Sequence, residues 1–317
     1  MAESAAAATT ISAQGLTRNF GSHTAVNHLD LELKRGEVLG FLGPNGAGKT
    51  TTMQMLTGNI APSAGSIRIC GIDLIGDPTA AKAKIGYLPE TPPLYRELTV
   101  DEYLLLAARL HQVPAGTRHG AIDNVKSRCG LAAVGRKLIG TLSKGFRQRV
   151  GIAQAIVHDP NVVILDEPTV GLDPIQIREI RALIRELGGK HSVILSTHIL
   201  PEVEAVCDRV QILHHGNVVY SDTIGALREF HSGRTLLLGL RRPPADGELT
   251  SIHGIARIET VSPGLYRVHF TAGADSTEEL VRRAVEKDWG LVQLAPAQTS
   301  LEDVFVNLTR SEQTETT

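Results

Sequence analysis

Short, nearly unbroken apolar runs alternate with helix-spaced patterns across the first 230 or so residues, and this alternation is the dominant signal in the chain. Val38-Leu39-Gly40-Phe41-Leu42, Val162-Val163-Ile164-Leu165 and Ser192-Val193-Ile194-Leu195 predict strands buried on both faces, as in a parallel sheet covered by helices. Leu29 to Leu33 instead alternates apolar with acidic residues, the pattern of a half-exposed antiparallel strand. Val210 to Leu213, His214-His215-Gly216-Asn217 and Val218 to Tyr220 read as a hairpin with turn residues at its tip. Between Glu90 and Leu142 the period becomes helical. Thr99-Val100-Asp101-Glu102 opens a helix through about Leu110, and a second is expected over about Gly120 to Cys129.

The pattern restarts after Phe230 to Arg234. Thr235 to Leu240, Ile255 to Thr260, Tyr266 to Phe270 and Leu291 to Leu294 predict strands. Ser276-Thr277-Glu278-Glu279 has the form of a capping box opening a helix to about Lys287, and Thr299-Ser300-Leu301-Glu302 would cap a last one. The expected organisation is therefore a tail at 1–10, an α/β domain with a mixed sheet at 11–230, a small α+β accessory domain at 231–310 and a tail at 311–317. The helical subdomain falls at 91–142, and no internal repeat gives a second copy of the first domain.

Composition narrows the classes. Hydrophobic residues make up 42% of 317 and charged residues 21%, which fits a globular chain rather than a disordered one. A formal net charge of -2 supplies no global basic field for nucleic acid or anionic lipid. No apolar run approaches the ~20 residues of a membrane span, and the alanine-rich start lacks the basic and apolar regions of a secretory signal. The cysteines Cys70, Cys129 and Cys207 are scattered, without metal-ligand spacing, as in a reducing compartment.

Gly43-Pro44-Asn45-Gly46-Ala47-Gly48-Lys49-Thr50 matches the P-loop pattern, with a predicted strand before it and a helix from about Lys49 to Leu56 after it. Glycines let backbone N–H groups turn inward around phosphates, and the helix N-terminus adds partial positive charge. Lys49 is expected at the β- and γ-phosphates, Thr50 on Mg²⁺, and Thr51 at a further phosphate oxygen. The motif says nucleotide, since kinases, GTPases and motors share it. Val162 to Leu165 then ends in Asp166-Glu167, at the strand edge where open α/β sheets bind ligands. Asp166 suits a metal or its water shell, and Glu167 the water that attacks the γ-phosphate. A helix cap is the bland alternative for Asp166. His198 follows the next strand, in Ser196-Thr197-His198; alone it would be read as structural.

Leu142-Ser143-Lys144-Gly145-Phe146-Arg147-Gln148-Arg149 precedes the Asp166 strand by about two dozen residues. In that order the motifs resemble the ABC ATPase family of P-loop NTPases, whose signature is LSGGQ, over about Ile11 to Phe230. The resemblance implies that Phe20 stacks on adenine, that Glu90 holds the Q-loop position, that Asp173 in Gly171-Leu172-Asp173-Pro174 belongs to the D-loop, and that His198 is the switch histidine. It further implies ATP and Mg²⁺ as ligands, and two copies clasping nucleotide head to tail. Ser143 and Gly145 of one copy then face the γ-phosphate on the other's P-loop. ATP closes such a pair because it makes contacts there that the open state lacks.

Two departures stand out: Lys144 and Phe146 replace the usual signature glycine and glutamine, and Glu90 replaces a glutamine. A carboxylate is the better ligand for a hard cation, but adds negative charge beside the phosphates. Both departures resemble the subgroup serving ABC-2-type permeases, usually exporters, as does the ending Leu301 to Phe305. The implied function is an ATPase subunit, peripheral at the cytoplasmic face of the membrane, driving a permease on a separate chain; no nucleic-acid partner is expected. The rival is a non-transport ABC ATPase acting on nucleic acid or ribosomes, which would usually bring a coiled-coil insertion or two ATPase domains. A third reading, a regulatory module that barely hydrolyses ATP, is opposed by Glu167. Three smaller signals are set down as structural: His214-His215 as a solvated hairpin with its rings on opposite faces, Arg241 to Pro244 as a linker, and Arg147 and Arg149 as ion-pair partners.

Overall fold

A computed structural model describes residues 9–227, 235–244, 247–271 and 276–296, in two compact units, 1–224 and 225–317. Residues 1–8 of the expected tail at 1–10, the tail at 311–317, the boundary at Phe230 to Arg234 and the last helix from Thr299 lie outside the described residues.

The first unit contains two sheets. One has six strands in the order β10-β9-β3-β8-β7-β6, built from β3 (Val38–Leu42), β6 (Ile85–Leu88), β7 (Val162–Asp166), β8 (Ser192–Thr197), β9 (Arg209–His214) and β10 (Asn217–Thr223). All neighbours are parallel except the β9–β10 hairpin. β3, β7 and β8 are buried at every position, which explains their unbroken apolar runs. The second sheet is antiparallel, in the order β2-β1-β4-β5, from β1 (Thr9–Phe20), β2 (His23–Lys34), β4 (Ala64–Ile69) and β5 (Ile72–Asp73). Thr9 and Thr10 therefore belong to a strand and not to the expected tail. Within β2, Leu29, Leu31 and Leu33 are buried while Asp30, Glu32 and Lys34 are exposed, so the alternation is that of a sheet with one dry face.

Helix α1 (Lys49–Leu56) follows β3, and α2 (Pro78–Lys82) precedes β6. Between β6 and β7 come α3 (Val100–Leu110), α4 (Ala115–Arg128) and α5 (Lys144–Ile156). Thr99 caps α3 with the full reciprocal box to Glu102, as its sequence requires. α4 starts five residues before the expected Gly120. It buries only Ile122 and Val125, so its first turns carry almost no apolar period to read. α6 (Pro174–Gly188) and α7 (Leu200–Val206) complete the unit. Two apolar cores lie on the two faces of the larger sheet, one around Leu104, Val150, Leu165 and Leu195, the other around Phe41, Met53, Ile67 and Ile164.

Two local expectations are corrected. His214 is buried rather than solvated, and its ring meets that of His215 at 4.2 Å because His215 has φ 46°, which removes the strand alternation. Arg149 pairs with Glu179, but Arg147 donates to the carbonyl of Leu142 and forms no ion pair among the described residues. All three cysteines are free.

The second unit is a four-stranded antiparallel sheet in the order β12-β13-β11-β14, with β11 (Thr235–Leu240), β12 (Ile255–Ser262), β13 (Leu265–Phe270) and β14 (Leu291–Pro296). Helix α8 (Thr277–Glu286) buries Leu280 and Ala284 in a core with Leu238, Val268, Phe270 and Trp289. The capping box expected at Ser276 does not form. The Ser276 hydroxyl donates to the carbonyl of His253 at 2.5 Å, a tertiary acceptor that wins over the local one.

Candidate active site

The strand order decides where chemistry can occur. β3, β8, β7 and β6 are parallel neighbours, so their C-terminal ends open side by side, and four loops meet there. Phe20, Asn45, Gly46, Gly48, Lys49, Thr50, Thr51, Glu90, Glu167 and His198 line one cleft of about 570 Å³. Gly43 and Ala47, in the same loop, are buried and do not line the cleft. Gly48 has φ 103°, and a Cβ there would sit 2.5 Å from the Ala25 carbonyl, so the loop can lie against β2 only with glycine at this position. Gly48 also begins α1 with no side-chain cap and no acidic residue in the first turn, an arrangement that leaves the helix N-terminus its positive end.

Lys49 is 6% exposed; its ammonium donates to the carbonyls of Gly43 at 2.8 Å and Pro44 at 3.2 Å, and lies 3.5 Å from Glu167 Oε1. Glu167 in turn has both carboxylate oxygens within 3.0 Å of His198 Nδ1. That contact places a proton on Nδ1 facing the carboxylate. Glu167 has φ 49°, outside the ordinary range for a side chain of this size, and its N–H is fixed to the Ser196 carbonyl at 2.9 Å. Such strain is held where surrounding structure over-determines it; here it turns Glu167 out of the β7 direction and into the cleft.

Asp166, one residue earlier, is fully buried at the end of β7. Neither carboxylate oxygen has a hydrogen bond of ordinary geometry. Burial pushes its carboxyl up from the usual range; the nearby Ser196 and Thr50 hydroxyls oppose this, and the charges of Glu167 and Glu90 add to it. A buried acid with two orphan oxygens beside a threonine hydroxyl fits a hard cation. It does not fit the alternative of a helix cap.

The other sequence-derived residues lie elsewhere. Ser143 is the exposed N-cap of α5, accepting from the Phe146 N–H at 3.4 Å. A Cβ on Gly145 would meet the Gln176 side chain at 2.6 Å, so α5 starts tight against α6. Asp173 caps α6, accepting from the N–H groups of Ile175 and Gln176, both at 2.9 Å. None of the three lines the cleft. A Cβ on Gly171 would fall 2.3 Å from the Lys144 ammonium, so Lys144 covers the loop before Asp173. Sequence reasoning missed His23, Ala25 and Val170, which also line the cleft. The register pairing Phe20 with His23 across the β1–β2 turn brings the first two there, a placement that alternation alone does not encode.

A phosphate loop after β3, an adjacent strand β8 followed by His198, and beyond it the acid-ended strand β7 define a P-loop nucleoside triphosphatase. Residues 26–170 match the family model described as ABC transporter. The chain is 37% identical over 303 residues to the bacitracin transport ATP-binding protein BcrA of Bacillus licheniformis, covering 95% of this chain and 97% of that protein. It is 32% identical to the daunorubicin resistance ATP-binding protein DrrA3 of Streptomyces coeruleorubidus, covering 95% and 96%. A solved ATP-binding subunit of an ABC transporter aligns with TM-score 0.65 and 32% identity, over 70% of this chain and 93% of that one. The dimeric cassette MJ0796 aligns with TM-score 0.62 at 24% identity, over 68% and 98%, a likeness of fold.

The chain belongs to the family of ABC transporter ATP-binding proteins. It binds and hydrolyses ATP as the ATPase subunit of a transporter, a role whose transport path is supplied by a permease. No helix among the described residues is long and apolar enough to cross a membrane.

Proposed function

We propose that this subunit powers an exporter of the ABC-2 type, from the cytoplasmic face of the membrane, by closing with a second copy around MgATP. The observation that carries the reading is a division of the motifs. Lys49, Thr50, Glu90, Glu167 and His198 share one cleft, whereas the exposed Ser143 and the buried Gly145, at the start of α5, do not line it. A site divided in this way is completed by a mate that brings its own Ser143 to the γ-phosphate.

In this scheme Phe20 stacks on adenine, and the loop from Gly43 to Gly48 surrounds the phosphates with N–H groups. Lys49 leaves the carbonyls it now bonds and takes the β- and γ-phosphates, and Thr51 adds a contact. Thr50, Asp166 and Glu90 are the residues that hold Mg²⁺, which when bound neutralises charge on the phosphate oxygens. Among the described residues no three acids, histidines or cysteines converge on a metal site. Glu167 orients the attacking water and accepts its proton. His198 holds Glu167 in place through Nδ1–H, and its far edge faces the nucleotide. Asp173 and Lys144 act at the dimer surface, beside the signature.

The proposed cargo is an antibiotic, because two relatives matched over nearly their whole length carry bacitracin transport and daunorubicin resistance in their names. Co-expression with the permease of a neighbouring gene tests it: resistance to bacitracin or daunorubicin should rise and should vanish with Glu167→Gln. Recovery of stoichiometric RNA or DNA in place of a polytopic membrane protein would instead select the rival reading.

A further inference from the structure

Besides the contact of His198 with Glu167, the end of β7 and the end of β8 are joined twice more. One link is the backbone bond from Glu167 N–H to the Ser196 carbonyl. The other runs through a side chain that does not line the cleft. Glu202, on α7, is 1% exposed, and its carboxylate accepts the Thr169 hydroxyl at 2.5 Å and the Thr197 hydroxyl at 2.9 Å. The Arg181 guanidinium stands 3.9 Å away. Thr169 and Thr197 are buried as well, and the Thr197 oxygen also accepts the Ile199 N–H at 3.1 Å, so its hydroxyl serves as both donor and acceptor.

A buried carboxylate is costly to keep, and an apolar side chain of similar size would often hold a fold as well or better. What the charge supplies is direction. As an acceptor-only group it fixes the protons of both hydroxyls toward itself. Thr169 lies two residues after Glu167, and Thr197 immediately precedes His198. We propose that Glu202 is a positioning residue for hydrolysis: its carboxylate clamps these two loops together and so sets where Glu167 and His198 stand relative to each other. The inference rests on the reading of Glu167 and His198 as the hydrolytic pair.

The test uses the full chain, with steady-state ATPase rates over a range of ATP and binding of a fluorescent ATP analogue. Glu202→Gln, which keeps one acceptor, should lower kcat ~10-fold, and Glu202→Ala ~100-fold, the scale of a small misplacement of reacting groups. Nucleotide Kd should move by less than ~3-fold, because the phosphate loop is untouched. Thr169→Val should lose kcat in the same way, Thr169→Ser should recover most of it, and Glu202→Ala with Thr169→Val together should cost no more than Glu202→Ala alone. Unchanged kcat in the folded variants, multiplying losses in the double variant, or parallel losses in kcat and affinity would each overturn the inference. If Glu202→Ala does not fold, the Thr169 pair decides it: equal rates for Val and Ser reject the clamp, and rescue by Ser supports it. Glu167→Gln is assayed alongside. Full hydrolysis there would defeat the parent reading; loss there with normal turnover in the Glu202 and Thr169 variants would defeat this inference alone.

Discussion

One atom of His198, Nδ1, stands 2.9 and 3.0 Å from the two carboxylate oxygens of Glu167. The carboxylate is thereby anchored on one side by the imidazole and on the other by Lys49 at 3.5 Å. Glu167→Gln preserves shape and one acceptor for Nδ1–H but takes up no proton from water. Hydrolysis should fall ~10²- to 10⁴-fold, the range for loss of a general base. Nucleotide binding should persist, so an ATP-bound dimer should accumulate on size exclusion with MgATP. A chain that stays monomeric at saturating MgATP would contradict closure around nucleotide.

Asp166 offers a separable test. Its carboxylate is buried, lacks a hydrogen bond of ordinary geometry, and is pushed toward the protonated form chiefly by burial. Asp166→Asn removes a charge the fold does not favour. Its melting temperature without nucleotide should therefore rise, by a gain of about 1 kcal/mol, while hydrolysis is lost. Stability and activity moving in opposite directions would mark Asp166 as kept for a cation. A destabilised Asn variant would argue for a structural role.

How much of this was readable beforehand depends on whether local pattern or tertiary contact decides each feature. The limits of α1 and the box at Thr99 follow from residues within a few positions of each other, and both were legible. The start of α4 was not, because its first turns bury nothing. At Ser276 the sequence pattern was present and the box absent, since the His253 carbonyl lies within reach. The cleft shows the same division. Its motif residues were visible, whereas His23, Ala25 and Val170 enter it only through the register of β1 with β2 and the strained turn after Asp166. Glu202 had no signal at all: its partners lie 33 and 5 residues away in the chain.

Packing makes a harsher prediction at Gly86. A Cβ at this β6 position would stand 1.9 Å from the carbonyl oxygen of Ala155 in α5, and neither backbone can swing aside without disturbing the sheet. Gly86→Ala should cost about 3 kcal/mol, at the upper end for overpacking. It would push α5, the helix that Ser143 caps, away from the strand that leads to Glu90. Urea unfolding measures the loss; a variant within 0.5 kcal/mol of wild type, roughly the scatter of neutral surface changes, would mean that the strand and helix separate easily.

Acid sensitivity should come from a histidine pair far from the phosphate loop. The rings of His111, at the end of α3, and His158, after α5, stack at 3.8 Å with 4° between their planes. Burial, reinforced by the His111 charge, lowers the pKa of His158 from 6.5 to about 4, although the Ile85 carbonyl and Asp159 favour the charged form. Burial also lowers His111 and His191. The fold therefore prefers neutral rings, so this contribution is complete above pH 6.5, the ordinary histidine value, and declines as pH falls toward about 4. Thermal melting between pH 7.5 and 4, followed against a His158→Phe variant, checks the assignment. Phenylalanine keeps a flat ring against His111 but has no proton to gain and no bond to the Ile85 carbonyl. That variant should melt lower than wild type at neutral pH and lose less on acidification. Parallel pH curves for the two proteins would place the acid sensitivity elsewhere.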